Sequence, residues 1–379
     1  MSLHSSHDDD DLFLRRALDL ARAGIALTSP NPCVGCVIVT DDGAVVGEAF
    51  HTYEGKKHAE ILALERTGNA SRGSTLYVNL EPCSHQGRTG PCADALIAAG
   101  ITRVVCGMED PNPLVAGQGF AKLRAAGIQV EVGRFQAEAR LLNEAFAKYI
   151  RHKIPLVTLK SALTLDGKIA PRPSPGGANR GSTRTEWITG AAARSHVQLL
   201  RHQSDAILTG IGTVLADDPL LTDRTGLPRR RPLLRVVLDS RLRLPLDSRL
   251  AQSVQEDVLV FTEETADARK NELEKLGIRV VQLSHSGENT LDLAAVVQHL
   301  GNMEITSLLI EGGSHMNASA LDSGIVDKVV LYFAPRMFGE GALPFASGLH
   351  AAVELSHTQI HRFGDDFALE GFLKDSYSD

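Results

Sequence analysis

Glu81-Pro82-Cys83-Ser84-His85-Gln86-Gly87-Arg88-Thr89-Gly90-Pro91-Cys92 is the stretch on which the reading of the N-terminal half turns. An apolar run before it, Thr75–Leu80, predicts a strand, and Ala93–Ala99 after it predicts a helix closed by Gly100. Each cysteine therefore follows a proline at the end of an element. Upstream, His58-Ala59-Glu60 opens another predicted helix, His58–Arg66. One imidazole and two thiolates, from His58, Cys83 and Cys92, make a three-ligand zinc set. Its fourth position is open, as in a catalytic rather than a sealed structural site. Water in that position would ionise near pH ~7, and helix N-termini help to keep the thiolates deprotonated. Glu60 is placed to take the proton from that water and pass it on. HxE alone recurs by chance; HxE followed by two Pro-Cys pairs at helix starts is specific.

The remaining cysteines read differently. Cys33-Val34-Gly35-Cys36 has the spacing of a redox or zinc motif, but it leads into an apolar strand whose alternation turns Cys36 inward. Cys33, Cys36 and Cys106 read as small hydrophobes packed in strands. An odd total of five cysteines argues against a disulfide framework.

Outward from the metal motif, helical and strand periods alternate. Leu12–Ala23 predicts an amphipathic helix, and Val34–Thr40 and Ala44–Ala49 flank an Asp41-Asp42-Gly43 hairpin turn. Arg103–Cys106 predicts a strand and Ala137–Ile150 a final helix before the basic joint Arg151-His152-Lys153-Ile154-Pro155. The second half restarts with strands at Leu156–Lys160, Ala206–Thr209, Leu233–Asp239, Val258–Thr262, Ile278–Leu283, Ser307–Ile310 and Val329–Phe333. Helices are expected at Ala191–Gln203, Glu264–Leu276, Leu291–Leu300 and His315–Leu321. This predicts an α/β fold with a largely parallel sheet in each half and two domains, residues 1–150 and 151–379.

Composition sets the outer limits. With 43% apolar and 22% charged residues, the chain is neither disordered nor collagen-like. No apolar run approaches the ~18–20 residues of a membrane span, and no leader precedes the acid-rich start, so a soluble cytoplasmic protein is the expectation. The net charge of −7 is spread over both halves, which speaks against nucleic-acid phosphates as partner. Arg229-Arg230-Arg231, between prolines, reads as a solvated loop. Two Gly-rich turns, Thr209-Gly210-Ile211-Gly212-Thr213 and Glu311-Gly312-Gly313-Ser314, suit a phosphate. Neither completes G-x-G-x-x-G, so each taken alone reads first as an ordinary tight turn.

Pro30-Asn31-Pro32, Val34-Gly35, Gly47-Glu48, His51, His58-Ala59-Glu60, the Glu81–Cys92 stretch and Asp110-Pro111-Asn112-Pro113 together resemble the bifunctional deaminase/reductases of riboflavin biosynthesis. Zinc base deaminases carry P-C-x-x-C; the longer Ser84–Pro91 interval here is what separates this family from cytidine and tRNA-adenosine deaminases. The resemblance implies a cytidine-deaminase-like α/β/α first domain, and deamination of 2,5-diamino-6-(5-phosphoribosylamino)pyrimidin-4(3H)-one. Asn31, His51, His85 and Arg88 would contact that substrate. Taken alone, Asn31 reads equally as a turn residue, and His51 and His85 as surface histidines.

Ala162-Leu163-Thr164-Leu165-Asp166-Gly167-Lys168, Trp187-Ile188-Thr189, Asp205–Gly210, Thr213–Pro219 and Glu311-Gly312-Gly313 resemble the family's reductase domain, related in fold to dihydrofolate reductase. This implies NADPH-dependent reduction of the ribosylamino group to ribitylamino. Ala162, Trp187, Thr213, Asp217, Ser240 and Gly313 would line the cofactor; Thr185, Arg201, Leu221, Arg224 and Glu311 would face substrate. Asp217 or Glu311 would handle the proton, and Trp187 reads also as a core residue. A mobile loop over the site is expected at Pro171–Arg184, and a homodimer or larger homo-oligomer is compatible with the family. Two rival readings fit the same residues: a deaminase of a free or tRNA base with an unrelated appended domain, and a zinc-stabilised binding protein that senses NADPH.

Overall fold

The computed structural model describes residues 6–85, 90–172, 187–283 and 291–378. Arg88, Thr185 and most of the expected Pro171–Arg184 loop lie outside them. The chain divides into two compact units: one runs to His152 and takes in Pro228–Arg230, the other covers Lys153–Leu227 and Arg231–Ser378. Among the described residues, no helix is long and apolar enough to cross a membrane.

The first unit comprises α1 (Ser6–Arg22), β1 (Gly35–Val39), β2 (Val45–Phe50), α2 (Ala59–Thr67), β3 (Thr75–Leu80), α3 (Cys92–Ala99), β4 (Arg103–Met108), α4 (Gln118–Ala125), β5 (Gln129–Val132), α5 (Gln136–Leu142) and α6 (Glu144–His152). Its sheet has the order β2-β1-β3-β4-β5. Alternation along β1 sends Val37 and Val39 to one face, with Tyr77, Val105 and Leu14 of α1. Cys36 and Ile38 go to the other, with Leu76, Val104, Ala63 of α2 and Leu96 of α3. The result is three layers. Helix α1 lies so close to β1 that a Cβ on Gly35 would overlap the Ala17 carbonyl.

Three expectations change here. The sheet is mixed, not largely parallel: β1 runs antiparallel to both β2 and β3, and only β3–β4 and β4–β5 are parallel. A hairpin joins β1 to β2, and hairpins impose antiparallel pairing. The single helix expected at Ala137–Ile150 breaks at Asn143, whose side chain leaves the helix pattern to accept from Cys33 N at 2.8 Å and donate to Cys33 O at 3.1 Å. Cys33 is partly exposed and precedes β1, so it is not a strand residue; Cys36 and Cys106 are fully buried within strands.

The second unit opens with β6 (Leu156–Thr164), β7 (Lys168–Ala170), α7 (Ala191–Gln203), β8 (Ala206–Gly210), α8 (Ile211–Asp217), β9 (Leu234–Leu238) and α9 (Arg249–Gln252). It continues with β10 (Val258–Thr262), α10 (Asp267–Lys275), β11 (Arg279–Gln282), α11 (Leu293–Asn302), β12 (Ser307–Ile310) and α12 (Ser314–Asp322). It ends with β13 (Lys328–Ala334), β14 (Leu343–Pro344), β15 (Ser356–Phe363) and β16 (Asp366–Phe372). Nine strands form one sheet in the order β11-β10-β9-β8-β12-β6-β13-β16-β15. It is parallel from β11 to β13, with an antiparallel β16/β15 ribbon at one edge. Leu208, Val236 and Ile310 face one core and Ile207, Val237 and Val260 the other, as a sheet covered on both faces requires. The carboxyl ends of β6, β8, β9 and β12 open together on one side, where α/β sheets bind ligands.

One buried pin ties α1 to the first sheet. Asp10, 1% exposed, accepts from Tyr77 Oη at 2.8 Å and from both Arg103 Nη atoms at 2.8 and 2.7 Å. Burial pushes its carboxyl up, but the bonds from Arg103 and Tyr77 outweigh it and hold it below the usual value of 3.8. Asp10→Ala orphans a buried phenol and guanidinium and lowers the stability of this unit by about 3 kcal/mol, measurable by thermal melting. A depressed carboxyl stabilises above its unfolded value, so the difference between Asp10→Ala and the parent shrinks as pH falls below about 4.

Candidate active sites

His58 is the residue before α2, Cys83 follows β3, and Cys92 is the first residue of α3. His58 Nδ1 lies 3.4 Å from Cys83 Sγ and 3.2 Å from Cys92 Sγ, and the three donor atoms fall within 4.8 Å of one another. A tetrahedral zinc with its usual bond lengths sets N and S ligands about 3.6 Å apart, so the donor set fits that metal. Cys92 N donates to Cys83 Sγ at 3.3 Å and Ala93 N to Cys83 O at 3.1 Å. The start of α3 thus holds Cys83 in place and favours its thiolate. The Cys83 thiol is drawn down to about 4, first by its bond with Cys92 and against burial; the same bond pushes Cys92 up. Metal ligation would deprotonate both thiols.

Glu60 sits in the first turn of α2, 3% exposed, with Oε2 buried and without a hydrogen-bond partner. Burial raises its carboxyl. A half-satisfied acid of this kind is costly unless it has work to do. His51 is likewise buried rather than on the surface. Its Nδ1 donates to Lys57 O at 2.9 Å, so Nε2 accepts from Asn31 Nδ2 at 3.0 Å. The His51 ring meets the His58 ring edge-on at 5.6 Å between centroids. Asn31 and His51 therefore stand beside the metal ligands. His85 is exposed.

Composition alone hid a set of supporting residues. Glu81, 5% exposed, accepts from Asp110 N at 3.0 Å and Gly117 N at 2.9 Å through Oε2. Through Oε1 it accepts from Gly119 N at 2.7 Å and Phe120 N at 3.3 Å. Asn79 takes Gly35 N at 2.9 Å and gives to Cys33 O at 2.9 Å, so with Asn143 it fixes the loop that carries Asn31. A lone Asn in the Thr75–Leu80 run was the available signal.

In the second unit a cleft of about 1710 Å³ opens at the sheet's carboxyl edge. It brings together Ala162, Trp187, Thr213, Asp217, Ser240 and Gly313, and also Arg201, Arg224 and Glu311. Trp187 is 56% exposed there, with Arg194 above its ring at 5.2 Å, and so is no core residue. Leu221, only 4% exposed, packs its side chain with Val214 and Leu233 beneath the residues that line the cleft. Glu311 receives Arg201 Nε at 2.7 Å and Nη2 at 3.0 Å, with Lys160 Nζ at 3.4 Å. Burial alone would raise its carboxyl, but Lys160 and Arg201 hold it down at about 2. Asp217 is raised by burial. Lys160, a charged residue closing an apolar strand run, was legible as an oddity only.

The two units therefore define a metal-dependent hydrolytic deaminase joined to an α/β reductase. Residues 7–108 match the zinc-binding region of cytidine and deoxycytidylate deaminases, and residues 155–369 match the RibD C-terminal domain. The riboflavin biosynthesis protein RibD of Actinobacillus pleuropneumoniae is 43% identical, over 94% of each chain. That of Escherichia coli K12 is 41% identical, over 95% of this chain and 98% of its own. Among solved structures, RibD from Acinetobacter baumannii superposes with a TM-score of 0.81 at 36% identity, over 96% of this chain and 99% of its own. The deaminase/reductase from Thermotoga maritima gives 0.79 at 34%, over 97% and 99%. The chain belongs to the RibD family of riboflavin biosynthesis, the enzymes that join a zinc deaminase to an NADPH-dependent reductase.

Gly119 shows how tightly the metal side is built, because a Cβ there would overlap Pro82 O and come within 3.0 Å of Glu81 Oε1. Gly119→Ala is expected to destabilise the first unit by about 2–3 kcal/mol and to lower zinc per chain. Metal analysis of the purified variant beside the parent checks this.

Proposed function

We propose that the first unit deaminates 2,5-diamino-6-(5-phosphoribosylamino)pyrimidin-4(3H)-one and that the second reduces the ribosylamino group of the product to ribitylamino. The Thermotoga maritima relative is named for these two activities. The observation that carries the reading is Glu60: a buried acid with an unpartnered oxygen, beside a three-donor metal cluster. His58, Cys83 and Cys92 hold the zinc, which supplies water acidic enough to react at neutral pH. The water gives up two protons, one to the ring nitrogen and one to the amine that leaves as ammonia when the C–N bond breaks. Glu60 is placed to carry each at its carboxylate, so its charge is restored each cycle. His51 fixes the orientation of the Asn31 amide, leaving Asn31 Oδ1 to receive an N–H of the pyrimidine. His85 and Arg88 complete the substrate contacts, Arg88 at the phosphate.

In the cleft, NADPH carries the hydride and the protein aligns it. Ala162, Trp187, Thr213, Asp217, Ser240 and Gly313 form the cofactor wall. Thr185, Leu221 and Arg224 belong to the substrate side, Leu221 acting from beneath through the segment it anchors. Glu311, held at about 2, stays an anion at working pH and cannot be the acid. It orients Arg201 and Lys160 at the cleft. Asp217, raised by burial, is the carboxyl able to hold the proton. The setting is the cytoplasm, the partner a small phosphorylated pyrimidine rather than nucleic acid, and the assembly a homodimer or larger homo-oligomer. The even charge and the exposed edge strand β15 support these parts.

A coupled assay of ammonia release and NADPH loss tests the whole. Glu60→Gln is expected to slow ammonia release by about 10²–10⁴-fold while NADPH oxidation with the deaminated intermediate continues. Parent-level ammonia release from that variant would overturn the assignment. Stripping zinc with a chelator should divide the activities in the same way. For the reductase, the pH profile should show no acid limb from Glu311 between pH 8 and about 4, and Glu311→Gln should lower the rate without moving any limb.

A further inference from the structure

With Arg201 committed to Glu311 and Arg194 held on Thr189 O and the Trp187 ring, Arg224 is the cleft arginine left to meet an anion among the described residues. It is exposed there, and among the described residues its guanidinium has no hydrogen-bond or ion-pair partner. Its backbone is another matter. Gln198, Arg201 and His202 stand on one face of α7 and reach three successive residues of the segment before β9. Arg201 Nη1 donates to Thr222 O at 3.0 Å, His202 Nδ1 meets Asp223 Oδ2 at 2.9 Å, and Arg224 N donates to Gln198 Oε1 at 2.9 Å. A carboxylate only accepts, so His202 carries its proton on Nδ1. Asp223 Oδ1 turns back to take Thr225 N at 2.9 Å and Thr225 Oγ1 at 2.7 Å. The His202 and Asp223 side chains are each only 7% exposed. Beneath them Leu221 is buried with a left-handed φ of 55°.

We propose that His202 and Asp223 are positioning residues that hold Arg224 at the rim and thereby select substrates carrying a phosphate. This rests on the reading of the cleft as the reductase site and of Arg224 as its phosphate contact. A guanidinium on a pre-ordered segment loses less freedom on meeting its anion than one on a loop that must order first. Neither residue is among those that line the cleft, so the clamp affects selection and not hydride transfer. His202 thus acts through Asp223 and the backbone of Arg224.

The test uses the full chain, comparing the deaminated intermediate with the same compound lacking its phosphate. His202→Ala is expected to raise KM for the phosphorylated compound about tenfold, with kcat within twofold and KM for NADPH and for the phosphate-free compound unmoved. His202→Asn, whose amide nitrogen can stand where Nδ1 stood, restores KM; a role in folding alone would not show that rescue together with that selectivity. Should His202→Ala fail to fold, Asp223→Asn carries the same comparison. Equal rises in KM for both compounds, or a fall in kcat alone, overturn the proposal. Arg224→Ala separates the two layers. If it leaves phosphate selectivity intact, the phosphate contact is misassigned and the proposal falls with it. If it abolishes selectivity while His202→Ala and Asp223→Asn preserve it, the clamp alone is wrong.

Discussion

The buried carboxylate of Glu81 governs the first unit. A charge taken out of water is tolerated only when its lone pairs are answered, and Glu81 is answered by backbone N–H groups from Asp110, Gly117, Gly119 and Phe120. Charge-assisted bonds of this kind are stronger than neutral ones. The segment that supplies them cannot move away without stranding the charge, and the charge cannot move without releasing the segment. Since Cys83 lies two positions beyond Glu81, the metal ligand inherits the rigidity of a strand although it stands in a loop. Asn79 and Asn143 do the same for Asn31 from the other side.

The two sites treat buried acids in opposite ways. Glu60 is left with an unanswered oxygen and a raised carboxyl; Glu311 is saturated by Arg201 and Lys160 and held at about 2. Proton traffic demands the first arrangement and a permanent negative charge demands the second. On the proposed reading, the same residue type serves as a carrier in one unit and as a fixed charge in the other.

Much of this was readable from residue order, for reasons that differ by element. Thr75–Leu80, Val258–Thr262 and Ser307–Ile310 are apolar runs with breakers on both sides, and they form strands with those bounds. The metal ligands were legible because each stands at an element end that proline or a helix start marks. Strand β15, Ser-His-Thr-Gln-Ile-His-Arg-Phe, was not: it is an exposed edge with no alternating apolar set, and its pairing with β16 is what makes it a strand. Strands β5 and β11, short and largely exposed on their own sheet edges, divide along the same line, since only the second carried enough consecutive apolar residues to be noticed. Glu81 and Lys160 were visible as residues but not as roles, because their partners lie far along the chain. Leu221 went the other way. Its position suggested a substrate wall, whereas its apolar side chain is spent in the core.

Trp187 is the chain's only tryptophan, and it stands half-open in the cleft beneath Arg194. All indole emission from this protein therefore originates at one wall of one site. The reduced nicotinamide ring absorbs where indole emits, so with the cofactor at that wall, as proposed, its arrival is reported by quenched indole fluorescence and sensitised nicotinamide light. The molecule carries its own single-point optical gauge of cleft occupancy, and the fill of the cleft can be followed in solution while the other unit turns over.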